Sequence, residues 1–186
     1  MGRLIVTRFD IAGPALIRPE RHGDTRGWFS EVWSKVDWHA ADLPETDWVQ
    51  DNQAFSAAAG TLRGLHFQAP PSAQAKLVRA ATGAIFDVAV DIRKGSPTYG
   101  KTITATLNAK TGDQLYVPAG FAHGYQTLEV DTHVAYKCDQ AYAAESEGGL
   151  LWSDPALGID WPLGAHALLS GKDLILPKLA DLESPF

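Results

Sequence analysis

Apolar and polar side chains alternate along AIFDVAVDI, residues 84–92, and this period of two predicts a strand. Phe86, Val88, Val90 and Ile92 fall on one face; Ile85, Asp87, Ala89 and Asp91 fall on the other. Two carboxylates on the second face predict that it is polar or wet. KTITATLNA (101–109) and THVAYKC (132–138) read as further strands. Between such runs lie Gly60, Pro70-Pro71, Gly83, Gly95, Pro97, Gly100, Gly112, Pro118 and Gly120. Turn residues at these short intervals predict an all-β protein, an antiparallel sandwich or barrel. SKVDWHAADL (34–43), with Ser34 as a cap, is the best helix, and the chain after Pro162 reads as loops with a short helix. No shift in composition divides the chain, so residues 1–186 read as a single domain.

One strand breaks the pattern. TLRGLHFQ (61–68) places Arg63 and His66 in an otherwise apolar run, with Gly64 between them. A regular strand would put residues three apart on opposite faces. Either a bulge at Gly64 turns both inward, or Arg63 works from a rim; the spacing leaves both open.

Composition narrows the partners. The chain has 186 residues, 45% of them hydrophobic and 20% charged, as in an ordinary globular domain. Its net charge is −6, with no run of like charges, which argues against nucleic acid or an anionic membrane as a partner. A small local cationic pocket stays compatible with that balance. The single cysteine, Cys138, rules out an intrachain disulfide and leads us to expect a reducing compartment. MGRLIVTRFD has neither a long apolar run nor a small-residue cleavage site, and Val6 breaks the myristoylation pattern. No apolar stretch is long enough to cross a bilayer as a helix. A soluble, cytoplasmic protein is expected.

GDQLYVPAGFAHGYQT (112–127) runs Gly112, five residues, Pro118, one residue, Gly120, two residues, His123. It resembles the second half of the cupin pattern, which sets a histidine on the inner wall of a jelly-roll barrel. Gly60, five residues and His66 resemble the first half. A metal-binding cupin continues His-x-His with a glutamate soon after; here Gln68 takes the second histidine's place and no such glutamate follows. Two histidines are too few for a dedicated transition-metal site, so no metal is expected and His66 is free to act as a base.

GDTRGWFSE, WVQDN, LRGLHFQ, QAKLVR, IFDVAVDIRKGSPTYG, VPAGFAHGY, YKC, ESEGGLLWSDPALGIDWP and SGKD follow one another between Gly23 and Asp173. Together they resemble the dTDP-4-dehydrorhamnose 3,5-epimerase family, a metal-free branch of the cupins. One departure is Ala75, where that family usually has glycine. The resemblance implies a jelly-roll cupin barrel with a few short helices and no cofactor. The implied activity is inversion of C3 and C5 of dTDP-4-keto-6-deoxy-D-glucose in deoxysugar synthesis. It implies His66 as the base, Asp173 as the carboxylate paired with it, Tyr136 as the acid on the far face and Lys76 beside the enolate oxygen. It implies Arg63 as a diphosphate contact. Arg26, Glu31, Gln50, Asn52, His123, Glu147 and Lys172 match further substrate-binding positions. Arg26 and Glu31 sit in a segment that family members donate across a dimer, so a homodimer is expected. His22, His39, His133 and His166 match no motif and read as structural or surface residues.

Each residue also has a plainer reading. A strand histidine bonded to a carbonyl, a solvated lysine, a turn aspartate and a tyrosine with a wet hydroxyl are all common. Three rival functions stand beside the epimerase: a C3-only or C5-only epimerase, a metal-dependent cupin oxygenase, and a non-catalytic nucleotide-sugar-binding module. The joint presence of a base, a stabiliser and an acid argues against the last.

Overall fold

The computed structural model describes residues 3–186. Its strands are β1 (Leu4–Arg8), β2 (Ala15–Pro19), β3 (His22–Asp24), β4 (Gly27–Phe29), β5 (Gln50–Ser56), β6 (Leu62–Gln68) and β7 (Lys76–Thr82), followed by β8 (Ala84–Asp91), β9 (Thr102–Asn108), β10 (Gln114–Val117), β11 (Phe121–Thr127), β12 (Thr132–Cys138) and β13 (Glu147–Gly149). Two antiparallel sheets carry the fold: a six-stranded one in the order β1-β2-β10-β7-β12-β5 and a five-stranded one in the order β13-β6-β11-β8-β9. Sequence neighbours such as β10 and β11 lie in opposite sheets, the crossing that makes a jelly roll. β3 and β4 form a separate two-stranded hairpin.

The inner core joins the sheets. Val78, Leu115 and Val134 from one sheet meet Ile85, Ala89, Leu107 and Tyr125 from the other. The outer face of the five-stranded sheet is also covered. Val88, Val90 and Leu65 pack there under Leu150, Leu157 and Trp161, with Leu179, Leu182 and Phe186 over them. The C-terminal chain is therefore a strap across this sheet.

That strap changes the reading of the strand at 84–92. The face holding Asp87 and Asp91 is not wet: both carboxylates are fully buried. The opposite face is buried as well, because the strap takes the place of solvent. Asp91, at the end of β8, accepts hydrogen bonds from Arg93, Ser96 and Thr98, which hold its carboxyl far below the usual range despite burial. Asp87 is mid-strand and bonds His123.

The predicted helix is shorter than 34–43. α1 spans Lys35–Ala40, with the Ser34 hydroxyl accepting from the Asp37 amide at 3.5 Å. Six residues do not hold a helix by themselves; Trp38 anchors it edge-on against Trp48, just before β5, and against Tyr116 of β10. After Pro162 there are three single-turn 3-10 helices, Gly164–His166, Asp173–Ile175 and Leu179–Asp181.

Candidate active site

β6 is bulged. Arg63 lies opposite Tyr125 and His66 opposite His123, so Gly64 and Leu65 face only Gly124. The bulge that the sequence left open is present, and Arg63, itself exposed, lines the same cavity as His66. The glycines permit it. Gly64 has φ +128°, and a Cβ there would sit 2.5 Å from the Gly124 Cα. A Cβ on Gly124 would sit 2.6 Å from the Arg63 carbonyl oxygen.

The cavity has a volume of about 530 Å³. Arg63, His66, Lys76, His123, Tyr136, Lys172 and Asp173 all line it. β6 and β11 supply one wall, β7 and β12 the facing one, and the C-terminal strap the lip. A smaller cavity of about 130 Å³ adjoins it, sharing His66, Lys76 and Tyr136 and adding Gln50, Asn52 and Glu147.

His66 Nε2 lies 2.6 Å from Asp173 Oδ1, a contact that closes 107 residues of chain. Asp173 is 4% exposed, and its amide is held by the carbonyl and hydroxyl of Ser170. A proton on Nε2, donated to this carboxylate, leaves Nδ1 with a free lone pair. Burial pushes His66 below its ordinary value, Asp173 opposes that shift, and Lys76 and Lys172 add to it. The imidazole is thus neutral near pH 7 and able to accept a proton. A second pair faces it across the ladder: His123 Nε2 lies 2.7 Å from Asp87 Oδ1.

Burial pushes the Lys76 ammonium down, while Cys138, Asp87 and Glu147 pull it up. Burial raises the Tyr136 phenol, with Cys138 adding to that effect and Arg63 opposing it. Arg63 is exposed and donates to the Phe55 carbonyl at 3.3 Å. Glu147 accepts from Lys172 and, at 3.1 Å, from Tyr142. Burial works to raise Glu147, but these two bonds hold it below its ordinary value. Gln50 donates to Asn52 at 2.9 Å, and Asn52 in turn reaches the Cys138 sulfur at 3.7 Å.

Gln68, at the position where a metal cupin has its second histidine, has a different task. Its amide donates to Ser72 and Ala141 carbonyls and accepts from the Ala143 amide, tying two loops together. Among the described residues no group of three or more His, Cys, Asp or Glu side chains is placed to hold a metal ion.

Arg26 and Glu31 are not brought to this cavity. Arg26 is on the tip of the β3–β4 hairpin, paired with Asp24, and Glu31 is exposed just beyond it. His22 and His39 are exposed, and His133 bonds Gln53 and stacks on Phe55. Sequence reasoning missed Asp87, Tyr125 and Tyr142. The signal for Asp87 is the alternation itself, which puts it on the face of Ile85 and Ala89; the face expected there to be polar or wet carries the polar side chains and is buried.

The sequence profile of the dTDP-4-dehydrorhamnose 3,5-epimerase family matches residues 8–181. A curated dTDP-4-dehydrorhamnose 3,5-epimerase from Sinorhizobium fredii is 52% identical over 176 residues, covering 95% of this chain and 90% of the relative. The crystal structure of a dTDP-6-deoxy-D-glucose-3,5-epimerase from Legionella pneumophila, in complex with dTDP-4-keto-L-rhamnose, superposes with a TM-score of 0.92 at 39% identity, over 97% of this chain and 95% of that one. That of a dTDP-4-dehydrorhamnose 3,5-epimerase from Bacillus anthracis, with TDP and PPi bound, gives 0.91 at 44% identity, over 94% and 99%. A bulged strand carrying a histidine–aspartate pair, on a jelly roll similar along nearly its whole length to these proteins, leads to one assignment: the chain belongs to the dTDP-4-dehydrorhamnose 3,5-epimerase family.

Proposed function

We propose that the chain inverts C3 and C5 of dTDP-4-keto-6-deoxy-D-glucose to give dTDP-4-dehydro-L-rhamnose, as one catalytic domain working in the cytoplasm. The observation that carries this reading is the 2.6 Å His66–Asp173 pair on the wall of a cavity that also holds Lys76 and Tyr136. The chemistry requires a proton to leave the carbon beside the ketone and another to return to the opposite face. Neutral His66 takes the first proton, and the C–H electron pair moves onto the C4 oxygen. Asp173 fixes the imidazole tautomer and stabilises the imidazolium. Lys76 meets the developing oxyanion; in a water-poor site such a charge is worth roughly 3 kcal/mol.

Tyr136 then gives its hydroxyl proton to the other face, and solvent restores both groups. Its raised pKa supports this role, since the phenol stays protonated until the enolate forms. Arg63 and Lys172 offer positive charge to the diphosphate, and Gln50, Asn52, His123 and Glu147 hold the rest of the nucleotide sugar. A homodimer completes the site in this reading. The β3–β4 hairpin stands apart from both sheets, with Trp28 58% and Phe29 66% exposed, and it carries Arg26 away from its own cavity.

Incubation with the 4-keto nucleotide sugar in deuterated water tests the assignment. Deuterium at both C3 and C5, with inversion at both, is the expected NMR result. Label and inversion at one carbon alone would make the chain a single-position epimerase, and no label at either would refute the reading.

A further inference from the structure

Asp87 has no role in the chemistry above. It lies mid-strand on β8, on the inner face between Ile85 and Ala89, and is fully buried. Its Oδ1 accepts from His123 Nε2, yet its Oδ2 has no hydrogen-bond partner among the described residues. Directly across the ladder, the Tyr125 hydroxyl is also buried without a partner, and burial raises that phenol to about 12. A half-satisfied buried carboxylate is costly, because the desolvation of a charge exceeds what one hydrogen bond returns. Such a group is retained where its charge acts on its neighbours. Here the neighbours are His123, bonded to it, and Lys76, which feels its negative charge.

Resting on the reading of Lys76 as the enolate stabiliser, we propose that Asp87 is a positioning residue for enolate formation: it fixes His123 through Nε2 and holds the positive charge of Lys76 in the cavity wall, so that His123 grips the sugar while Lys76 meets the C4 oxygen as it gains charge. Asp87 touches neither substrate nor reacting atoms. It acts through the two groups that do. Lys76 is also faced by Cys138 from β12, Glu147 from β13 and His66 from β6. Burial lowers Lys76, and Asp87 is among the charges that oppose this, so neutralising Asp87 lowers Lys76 further.

Asp87→Asn keeps the shape and one acceptor oxygen and removes only the charge. The expected result is a fall in kcat of about 10²-fold with KM almost unchanged. Solvent deuterium exchange should fall in step with kcat, because the enolate itself forms more slowly. The alkaline limb of kcat should move to lower pH, since Lys76 loses its proton sooner. The midpoint of thermal unfolding should not drop, because a buried charge has been removed. For a variant that folds, wild-type kcat, an alkaline limb that stays in place, or activity that falls only in step with a lowered unfolding midpoint would each overturn the proposal. If Asp87→Asn does not fold, Asp87→Glu decides: it keeps the charge and shifts it, so kcat should fall while the alkaline limb stays at its wild-type position, and a limb that moves is contradictory. Lys76→Ala in the same exchange assay separates the two layers. Exchange that survives in Lys76→Ala refutes the role of Lys76 and with it this proposal. Exchange that is lost in Lys76→Ala but intact in Asp87→Asn refutes the role of Asp87 alone.

Discussion

At the scale of single residues, the chemistry turns on a neutral imidazole held by a carboxylate. Burial lowers His66 from its ordinary 6.5, with Asp173 opposing. His66 therefore stays neutral below pH 6.5, and kcat/KM is expected to hold there and decline only as pH falls through the lowered value. Asp173→Asn removes a group that raises His66. The acid limb should then move to still lower pH while kcat drops, because the tautomer is no longer fixed. A limb that moves upward would contradict the pairing. His66→Ala should cost ~10²–10⁴-fold in turnover and still fold; near-normal turnover would remove His66 as the base. Folding has its own consequence, with the sign set by the same shift. The unfolded chain binds a proton at His66 that the folded chain resists, so stability is lost as pH falls from 6.5 through the folded value.

At the scale of elements, the bulge in β6 decides which side chains share the cavity. The strands expected at 101–109 and 132–138 form at Thr102–Asn108 and Thr132–Cys138, because their β-branched and aromatic residues suit a ladder. Alternation does not fix β6, since it says nothing of where a residue is extruded; only Gly64 between Arg63 and His66 hinted at it. The bulge depends on two glycine backbones in contact. Gly64→Ala would need φ +128° with a Cβ 2.5 Å from the Gly124 Cα. That dihedral alone costs about 1–3 kcal/mol, and the clash adds to it. Urea unfolding should show a clearly lower midpoint together with loss of activity; an unchanged midpoint would mean that the bulge is not what Gly64 provides. The two-sided burial of β8 was illegible for another reason. Alternation assigns faces but not what covers them, and the cover is a strap of turns from the far end of the chain.

At the scale of the whole molecule, the same strap delivers Asp173 to His66 across 107 residues, a contact that no local spacing encodes. It was legible only through the resemblance to a family. The same holds for the hairpin at Arg26, which the single chain leaves outside its own cavity. If the hairpin completes the partner's site, two damaged chains should complement each other. Mixing His66→Ala with Arg26→Ala by refolding should restore about a quarter of wild-type activity, since half the dimers are mixed and each has one intact site. No recovery on mixing would place Arg26 in its own chain's site or outside the chemistry.

The central claim is that one wall removes a proton and the facing wall returns one. His66 comes from β6 in the five-stranded sheet and Tyr136 from β12 in the six-stranded sheet, and both line the same cavity. The most direct test is Tyr136→Phe in deuterated water, following label and configuration together by NMR. The change deletes one hydroxyl and leaves His66, Asp173 and Lys76 in place. The enolate should still form, and His66, once its proton has exchanged with solvent, should return a deuteron only to the original face. Deuterium should therefore enter C3 or C5 while the inverted product falls by ~10²-fold or more. Exchange and inversion that vanish in equal measure would contradict the account, because Tyr136 would then be needed for proton removal and not for its return.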